Sequence, residues 1–371
     1  MLFRSLTAAP GNAVVAAAGV LASVALASAM AIMVASFRQS VDQWLGEVLP
    51  ADLYIRSAPM ISGSSLDEAM QAQLAGVPGI ADIRFSRLDS LRLEPGAPPV
   101  AIVARRIPPD GSGLPLVGNV SAVEGPAVWI SEAMQDLYGW QPGRLVRFPL
   151  GGRVVELPVA GVLRDYVRQT GSIWLDLADY RRLTGDRLAN DAAIRLAPGA
   201  SAEVVSAALL ALSTPGSLEV SRPGDIRAQS LRIFDRTFAV TYALEAVAVA
   251  IGLAGIAASF AALAAARRRE FGMLRHLGLT RRQIGAMLAL EGALAAGVSV
   301  LAGLLLGGAI GLVLIEVVNR QSFHWSMDMH IPWASLAAFA GSLVTLAAIS
   351  AVLAGRQAMQ QQAILAVRED W

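Results

Sequence analysis

Residues 267–283 read Arg-Arg-Arg-Glu-Phe-Gly-Met-Leu-Arg-His-Leu-Gly-Leu-Thr-Arg-Arg-Gln and stand between two long apolar runs. Six arginines fall within this short connection. Short, arginine-rich loops between membrane spans stay on the cytoplasmic side. Phe271, Leu274, Leu277 and Ile284 recur near helical spacing, so the segment predicts a short amphipathic helix. Such a helix can anchor to lipid or lay its apolar face into a partner's groove.

Composition agrees with a membrane setting. The chain of 371 residues is 55% hydrophobic, where soluble domains hold about 45–50% apolar residues. Its mean hydropathy is +0.53. The excess is concentrated in four blocks. A net charge of +1 argues against general nucleic-acid binding. With no cysteine, disulfides, thiolate zinc sites and cysteine catalysis are excluded. Every basic residue other than histidine is arginine. A Walker A phosphate loop needs a lysine, so the chain cannot be its own P-loop ATPase.

The arginine loop orients everything else. Residues 1–12 are expected in the cytoplasm, with span 1 at 13–36. The block is too long for the apolar core of a signal peptide, although Ala27-Ser28-Ala29 resembles a cleavage site. Residues 37–235 form an extracytoplasmic α+β domain that ends in a helical stalk. Span 2 follows at 237–266, the cytoplasmic helix at 267–283, and span 3 at 284–318. An outer loop at 319–332 carries Arg320 as its one Lys or Arg. Span 4 occupies 333–354, and 355–371 is a cytoplasmic tail.

Within the outer domain, alternation predicts strands at Ala51–Ser57, Ile80–Phe85, Leu88–Leu93, Val100–Val103 and Val128–Ile130. Leu145–Leu150 and Val154–Pro158 read as a hairpin through Gly151-Gly152, and Ala192–Leu196 as a further strand. Helices are expected at Ser131–Tyr138, capped by Ser131, at Trp174–Leu183 and at Ser201–Leu212. If the domain has two subdomains, Pro108–Pro126 is the expected seam.

Chemistry-bearing constellations are sparse. There is no His-Glu-x-x-His or Gly-x-Ser-x-Gly pattern. His324 and His330 share the outer loop without a convincing set of further ligands. No cofactor or metal site is expected, and no catalytic residue. Glu245 and Glu291 are intramembrane charges, and such groups are functional candidates by default. Two carboxylates on separate helices do not make a proton path. Gly303, Gly307 and Gly311 recur every four residues in span 3, a spacing that permits close helix contact in lipid. That contact can lie within the chain or between subunits.

The stretch 267–284 closely resembles the signature of the FtsX/MacB-like ABC transporter permeases, Arg-Arg-x-Glu-[apolar]-Gly-[apolar]-Leu-Arg-x-[apolar]-Gly followed by a polar turn and Gln-Ile. Ile130-Ser131-Glu132-Ala133, Gly139-Trp140-Gln141-Pro142-Gly143 and Gly161-Val162-Leu163-Arg164-Asp165-Tyr166 are similar to that family's extracytoplasmic domain. The order of span, large outer domain and three further spans matches too. The resemblance implies a MacB-like periplasmic core domain and a cytoplasmic-membrane (inner-membrane) location. It also implies a coupling helix in which Glu270, Phe271, Gly272, Leu274, Arg275, Leu277 and Gly278 dock on a separate, dimeric ABC ATPase that binds the ATP. Ser36–Val41, Phe234–Phe238 and Asn319–Trp325 look like the second half of larger, duplicated members. A second permease half or a homodimer is the implied partner. The implied work is export or extraction of a lipid, lipoprotein or peptide. The alternative is regulation of a cell-envelope hydrolase without transport.

Overall fold

The chain order is α1 (Pro10–Val48), β1 (Leu53–Ser57), α2 (Glu68–Ala75), β2 (Ile80–Leu91), β3 (Val100–Arg105), β4 (Leu116–Val117), β5 (Val128–Ser131), α3 (Glu132–Tyr138), β6 (Leu145–Leu150), β7 (Arg153–Leu163), β8 (Ser172–Asp176), α4 (Leu177–Thr184), β9 (Asp191–Leu196), α5 (Ala202–Ala211), β10 (Leu218–Ser221), α6 (Pro223–Ala266), α7 (Arg281–Val313), a π-helical turn (Leu314–Asn319), α8 (Arg320–Phe323) and α9 (Trp333–Ala366). The structure is a computed structural model that describes residues 10–57, 65–214, 216–266, 270, 273, 274 and 276–366. It divides into a helical unit (Met1–Phe37, Asp235–Val317, Asp328–Trp371) and a sheet unit (Arg38–Phe234, Val318–Met327).

Four helices among the described residues are long and apolar enough to cross a membrane: Ala18–Val48, Phe238–Gly255, Arg281–Phe323 and Trp333–Gln357. Their interior is rich in small and β-branched side chains. Val20 and Val24 of α1, Ala296 and Val300 of α7, and Leu343 and Ala347 of α9 are buried together, with Val249 and Leu253 of α6 packed against them. Many large apolar side chains face outward: Leu244, Ile251, Val298 and Leu305 are all exposed. A surface this apolar suits hydrocarbon, where helix contact depends on close packing rather than on hiding large side chains from water.

Among the described residues, the sheet unit carries ten strands ordered β10-β1-β9-β2-β3-β8-β5-β7-β4, with β6 paired to β7. The β3–β8 and β5–β7 pairs are parallel and the others antiparallel. Two apolar clusters form its cores. One joins Leu53, Ile55, Leu74, Ile194 and Val205, and the other Ile102, Ile130, Phe148, Val162 and Ile173. Ile83 and Phe85 of β2 pack on the first, Leu91 on the second. The boundary between cores therefore runs through β2 and not through Pro108–Pro126. That loop instead packs Leu114, Leu116 and Val123 onto Trp129, Leu163 and Trp174. Gly111 permits it: at φ +71°, a Cβ there would lie 2.4 Å from the Trp129 ring.

Local differences from expectation have local causes. The expected strands Ile80–Phe85 and Leu88–Leu93 merge into one long strand, β2, which ends at Leu91 and has an irregularity between Ile80 and Asp82. The expected helix Trp174–Leu183 divides: Ser172–Asp176 is a strand between β3 and β5, and Asp176 caps α4 by accepting from the Ala178 N–H at 2.8 Å. Both faces of β8 are buried, so its short apolar run has no strand alternation to read. Ser131 stands at the N-cap of α3, but its hydroxyl accepts from the Ser172 N–H at 2.9 Å instead of capping. Helix α2 was not legible; Asp67 caps it through the Met70 N–H at 2.7 Å.

Candidate functional site

The segment before α7 is organised as a helix stop joined to a helix start. Glu270, Met273, Leu274 and His276 are helical. Gly278 then takes φ +94°, a left-handed value that favours glycine. The Leu277 N–H donates to the Met273 carbonyl and the Leu279 N–H to the Leu274 carbonyl, each at 3.1 Å. A bond spanning five residues across a left-handed glycine is the Schellman way of closing a helix. Thr280 begins α7 at once: its Oγ1 accepts from the Gln283 N–H at 3.3 Å, and Gln283 Oε1 accepts from the Thr280 N–H at 2.9 Å. That reciprocal pair is a capping box.

Leu279 serves both halves of the corner. It follows the glycine of one helix and precedes the cap of the next. Leu274, Leu279 and Ala354 pack on buried Ile284 and Leu288. The same leucine thus makes the apolar contact of the closing motif and the hydrophobic staple of the opening one. Leu274 is half-buried against its own chain, whereas Met273 and Leu277 are 62% and 72% exposed. Leu277, Gly278 and Glu270 are exposed. Phe271, Gly272 and Arg275 lie outside the described residues.

The glycine row packs within the chain. A Cβ at Gly303 would lie 2.7 Å from the Val24 Cβ, one at Gly307 would lie 1.9 Å from Ser28 Oγ, and one at Gly311 would lie 3.5 Å from the Ile32 Cβ. Val24, Ser28 and Ile32 ascend α1 in the same steps as the glycines ascend α7, so the two helices run parallel. Two parallel spans cross the membrane in the same direction, as spans 1 and 3 must if each connection returns the chain. Ser28 donates to the Val24 carbonyl at 2.6 Å, which satisfies its hydroxyl without a partner helix. Glu245 on α6 and Glu291 on α7 are each half-buried.

Sequence reading missed a second contact region. From the end of the π-helical turn onward, Val318–Met327 belong to the sheet unit. The Ser326 N–H donates to Glu132 Oε2 at 3.1 Å, Tyr166 Oη donates to the Ser326 carbonyl at 3.0 Å, and Arg164 Nη2 to Ser326 Oγ at 3.3 Å. Asn319 Nδ2 donates to the Trp325 carbonyl at 2.9 Å, closing the loop on itself. Rings continue the contact: Trp325 meets Tyr166 edge-on at 5.5 Å, and Tyr166 meets Trp44 at 5.7 Å. Burial raises the Glu132 carboxyl above the usual glutamate value, opposed by its bonds to Ser326 and by Arg164. Glu132, Arg164 and Tyr166 stand in family-like motifs, but nothing in their spacing pointed to a loop 160 to 194 residues away.

Among the described residues no group of three or more His, Asp or Glu could hold a metal ion.

Two family descriptions match the chain, the MacB-like periplasmic core domain over residues 13–212 and the FtsX-like permease C-terminal over 243–363. An uncharacterized ABC transporter permease protein of Mycobacterium tuberculosis is 27% identical over 329 residues. The match covers 85% of this chain and 38% of that protein, so the chain spans under two-fifths of its relative's length. Among solved structures, the periplasmic region of MacB from Actinobacillus actinomycetemcomitans is similar at 14% identity and a TM-score of 0.36, covering 50% of this chain and 94% of that one. The extracellular domain of the noncanonic ABC-type transporter YknZ from Gram-positive bacteria is similar at 16% identity and a TM-score of 0.32, covering 46% and 99%. Four apolar helices, a periplasmic-core match over more than half the chain and an FtsX-like C-terminal region together make this a membrane protein with an extracytoplasmic domain, and the chain belongs to the FtsX/MacB-like family of ABC transporter permeases.

Proposed function

We propose that this permease transmits the motion of a separate, dimeric ABC ATPase in the cytoplasm to its extracytoplasmic domain. The export or extraction of a lipid, lipoprotein or peptide is the work this would drive. The observation that carries the reading is the rigid corner at Gly278–Thr280. A docked helix moves a span only if the joint between them does not flex. Here a Schellman stop, a capping box and one shared leucine remove that freedom. At the far end of span 3, Ser326 is held by Glu132, Arg164 and Tyr166. One continuous path of backbone thus runs from the docking segment to the sheet unit.

The outward-facing Met273 and Leu277 are the anchors for the ATPase groove, with Glu270 at the rim. Buried apolar anchors carry most of the affinity of such contacts. Leu274 fastens the segment to α7 and α9. Residues 267–283 and the tail face the cytoplasm of an inner-membrane protein, and a second permease half or a second copy completes the complex.

The test is Leu277→Asp in the intact chain. It is expected to leave insertion and the sheet unit unchanged while abolishing co-purification of the ATPase. Retention of the ATPase at wild-type yield would remove the docking assignment. Reporters fused after Gly113 and after Thr280 should read outside and inside respectively. A cytoplasmic reading at Gly113 would overturn the orientation.

A further inference from the structure

Within the sheet unit lies a cavity of about 670 Å³, inside the roughly 300–1,000 Å³ range of small-molecule sites. Its walls include Val103, Trp174, Ile233 and Phe234, together with the last turns of α1. Five arginines reach it, Arg56, Arg84, Arg105, Arg106 and Arg168, against two carboxylates, Asp191 and Glu219. Among the lining side chains arginines thus outnumber carboxylates by three.

Three of these arginines already have acidic partners. Arg56 pairs with Asp191 at 3.3 Å, Arg84 with Asp82 at 2.8 Å and Arg168 with Asp165 at 3.0 Å. Arg105 does not. It is half-buried at the end of β3, its guanidinium 5.9 Å from the Trp174 ring, and among the described residues it forms no ion pair with a carboxylate. Burial lowers its pKa, opposed by the nearby Tyr54 hydroxyl, while the Arg84 charge adds to the lowering. A cation placed away from water beside a like charge is costly unless an anion joins it.

We propose that this cavity binds an anionic amphiphile, a single acyl chain ending in a carboxylate or phosphate. The acid group meets Arg105 and Arg106, and the chain lies along Val103, Trp174 and Phe234. Charge complementarity selects the head, and the aromatic and aliphatic walls select the tail. An acidic peptide fits less well. Of the strands that line the cavity, β1, β2, β3, β8 and β9 are each paired on both sides, and the edge strand β10 brings the carboxylate of Glu219, which repels an acidic peptide. The proposal narrows the cargo class of the transport reading. Use of the ligand as cargo rests on that reading, but its binding does not.

Equilibrium binding tests this without nucleotide or ATPase. The full chain is placed in phosphatidylcholine nanodiscs, with empty discs as background, and titrated with radiolabelled dodecyl phosphate and laurate. Saturable binding of both above background is expected. Arg105→Gln should weaken it about tenfold or more, since a hydrogen bond to a charged group contributes about 1.5–3 kcal/mol. Val167→Trp, at an exposed lining position, should weaken it by filling the space while the fold persists. The proposal is overturned if no saturable excess is found, or if dodecanol binds as tightly as dodecyl phosphate. It is equally overturned if inorganic phosphate or hexaglutamate displaces the probe at comparable concentration, which would mark a small-anion or acidic-peptide site. ATPase co-purification with Arg105→Gln should match wild type whatever the binding result, so failure here is distinguishable from failure of the coupling reading.

Discussion

The Leu279 N–H donates to the Leu274 carbonyl at 3.1 Å across a left-handed Gly278, and the two side chains share one apolar cluster with Ile284. One short connection thereby ends one helix and starts another. The geometry works only with a residue that accepts positive φ at 278. It also needs an apolar residue that can face both helices at 279.

Gly278→Val tests the joint. A β-branched residue at φ +94° is strained, at a cost of at least about 1–2 kcal/mol. The corner is expected to loosen, with faster amide exchange over 277–284 and reduced ATP-driven activity at normal membrane insertion. Gly278→Asn, which tolerates the left-handed region better, should fall between that variant and wild type. Unchanged exchange in the valine variant would mean that the corner is not held by this motif.

Gly307 and Gly308 offer an internal control. A Cβ at Gly307 would meet Ser28 Oγ and the Ala25 carbonyl, whereas one at Gly308 would meet nothing within 4 Å. Gly307→Leu should separate α1 from α7 and lower the detergent-solubilised melting temperature, at a cost of about 1–3 kcal/mol or more for overpacking. Gly308→Leu should be close to neutral. Equal effects of the two would remove the close contact.

The absence of cysteine makes crosslinking clean. The Cβ built on Gly311 lies 3.5 Å from that of Ile32, within the range of about 3.5–4.5 Å that disulfides require. The pair Ile32→Cys and Gly311→Cys should oxidise within one chain, shifting mobility on a non-reducing gel without forming a dimer. A covalent dimer would place the glycine row at a subunit interface.

Glu132 predicts a pH dependence. Its folded pKa is raised, chiefly by burial. The stability linked to its protonated form is complete below the ordinary glutamate value of about 4.3 and is lost as pH rises through the raised value. Glu132→Gln does not titrate and keeps an oxygen for the Ser326 N–H. Relative to wild type, its melting temperature should therefore rise between pH 4 and pH 8. A difference that stays constant or shrinks over that range would contradict the burial of the charge.

Composition and periodicity alone determined much of this protein. Four long apolar blocks, an arginine-rich loop and an α+β domain between the first two blocks were legible because membrane insertion is decided by local hydrophobicity and charge. The Gly-x-x-x-Gly spacing was legible as a contact face, but its partner was not. Whether Gly307 meets Ser28 or another subunit depends on how the helices assemble, and one helix carries no record of that. Only tertiary structure turned Leu274 inward and left Met273 and Leu277 outside, since a three-residue spacing fits either face of so short a helix. Only tertiary structure, too, brought Ser326 to Glu132 and set an unpaired Arg105 into a cavity. Those contacts join segments far apart in the chain, and sheet pairing and packing, not local pattern, decide which of them meet.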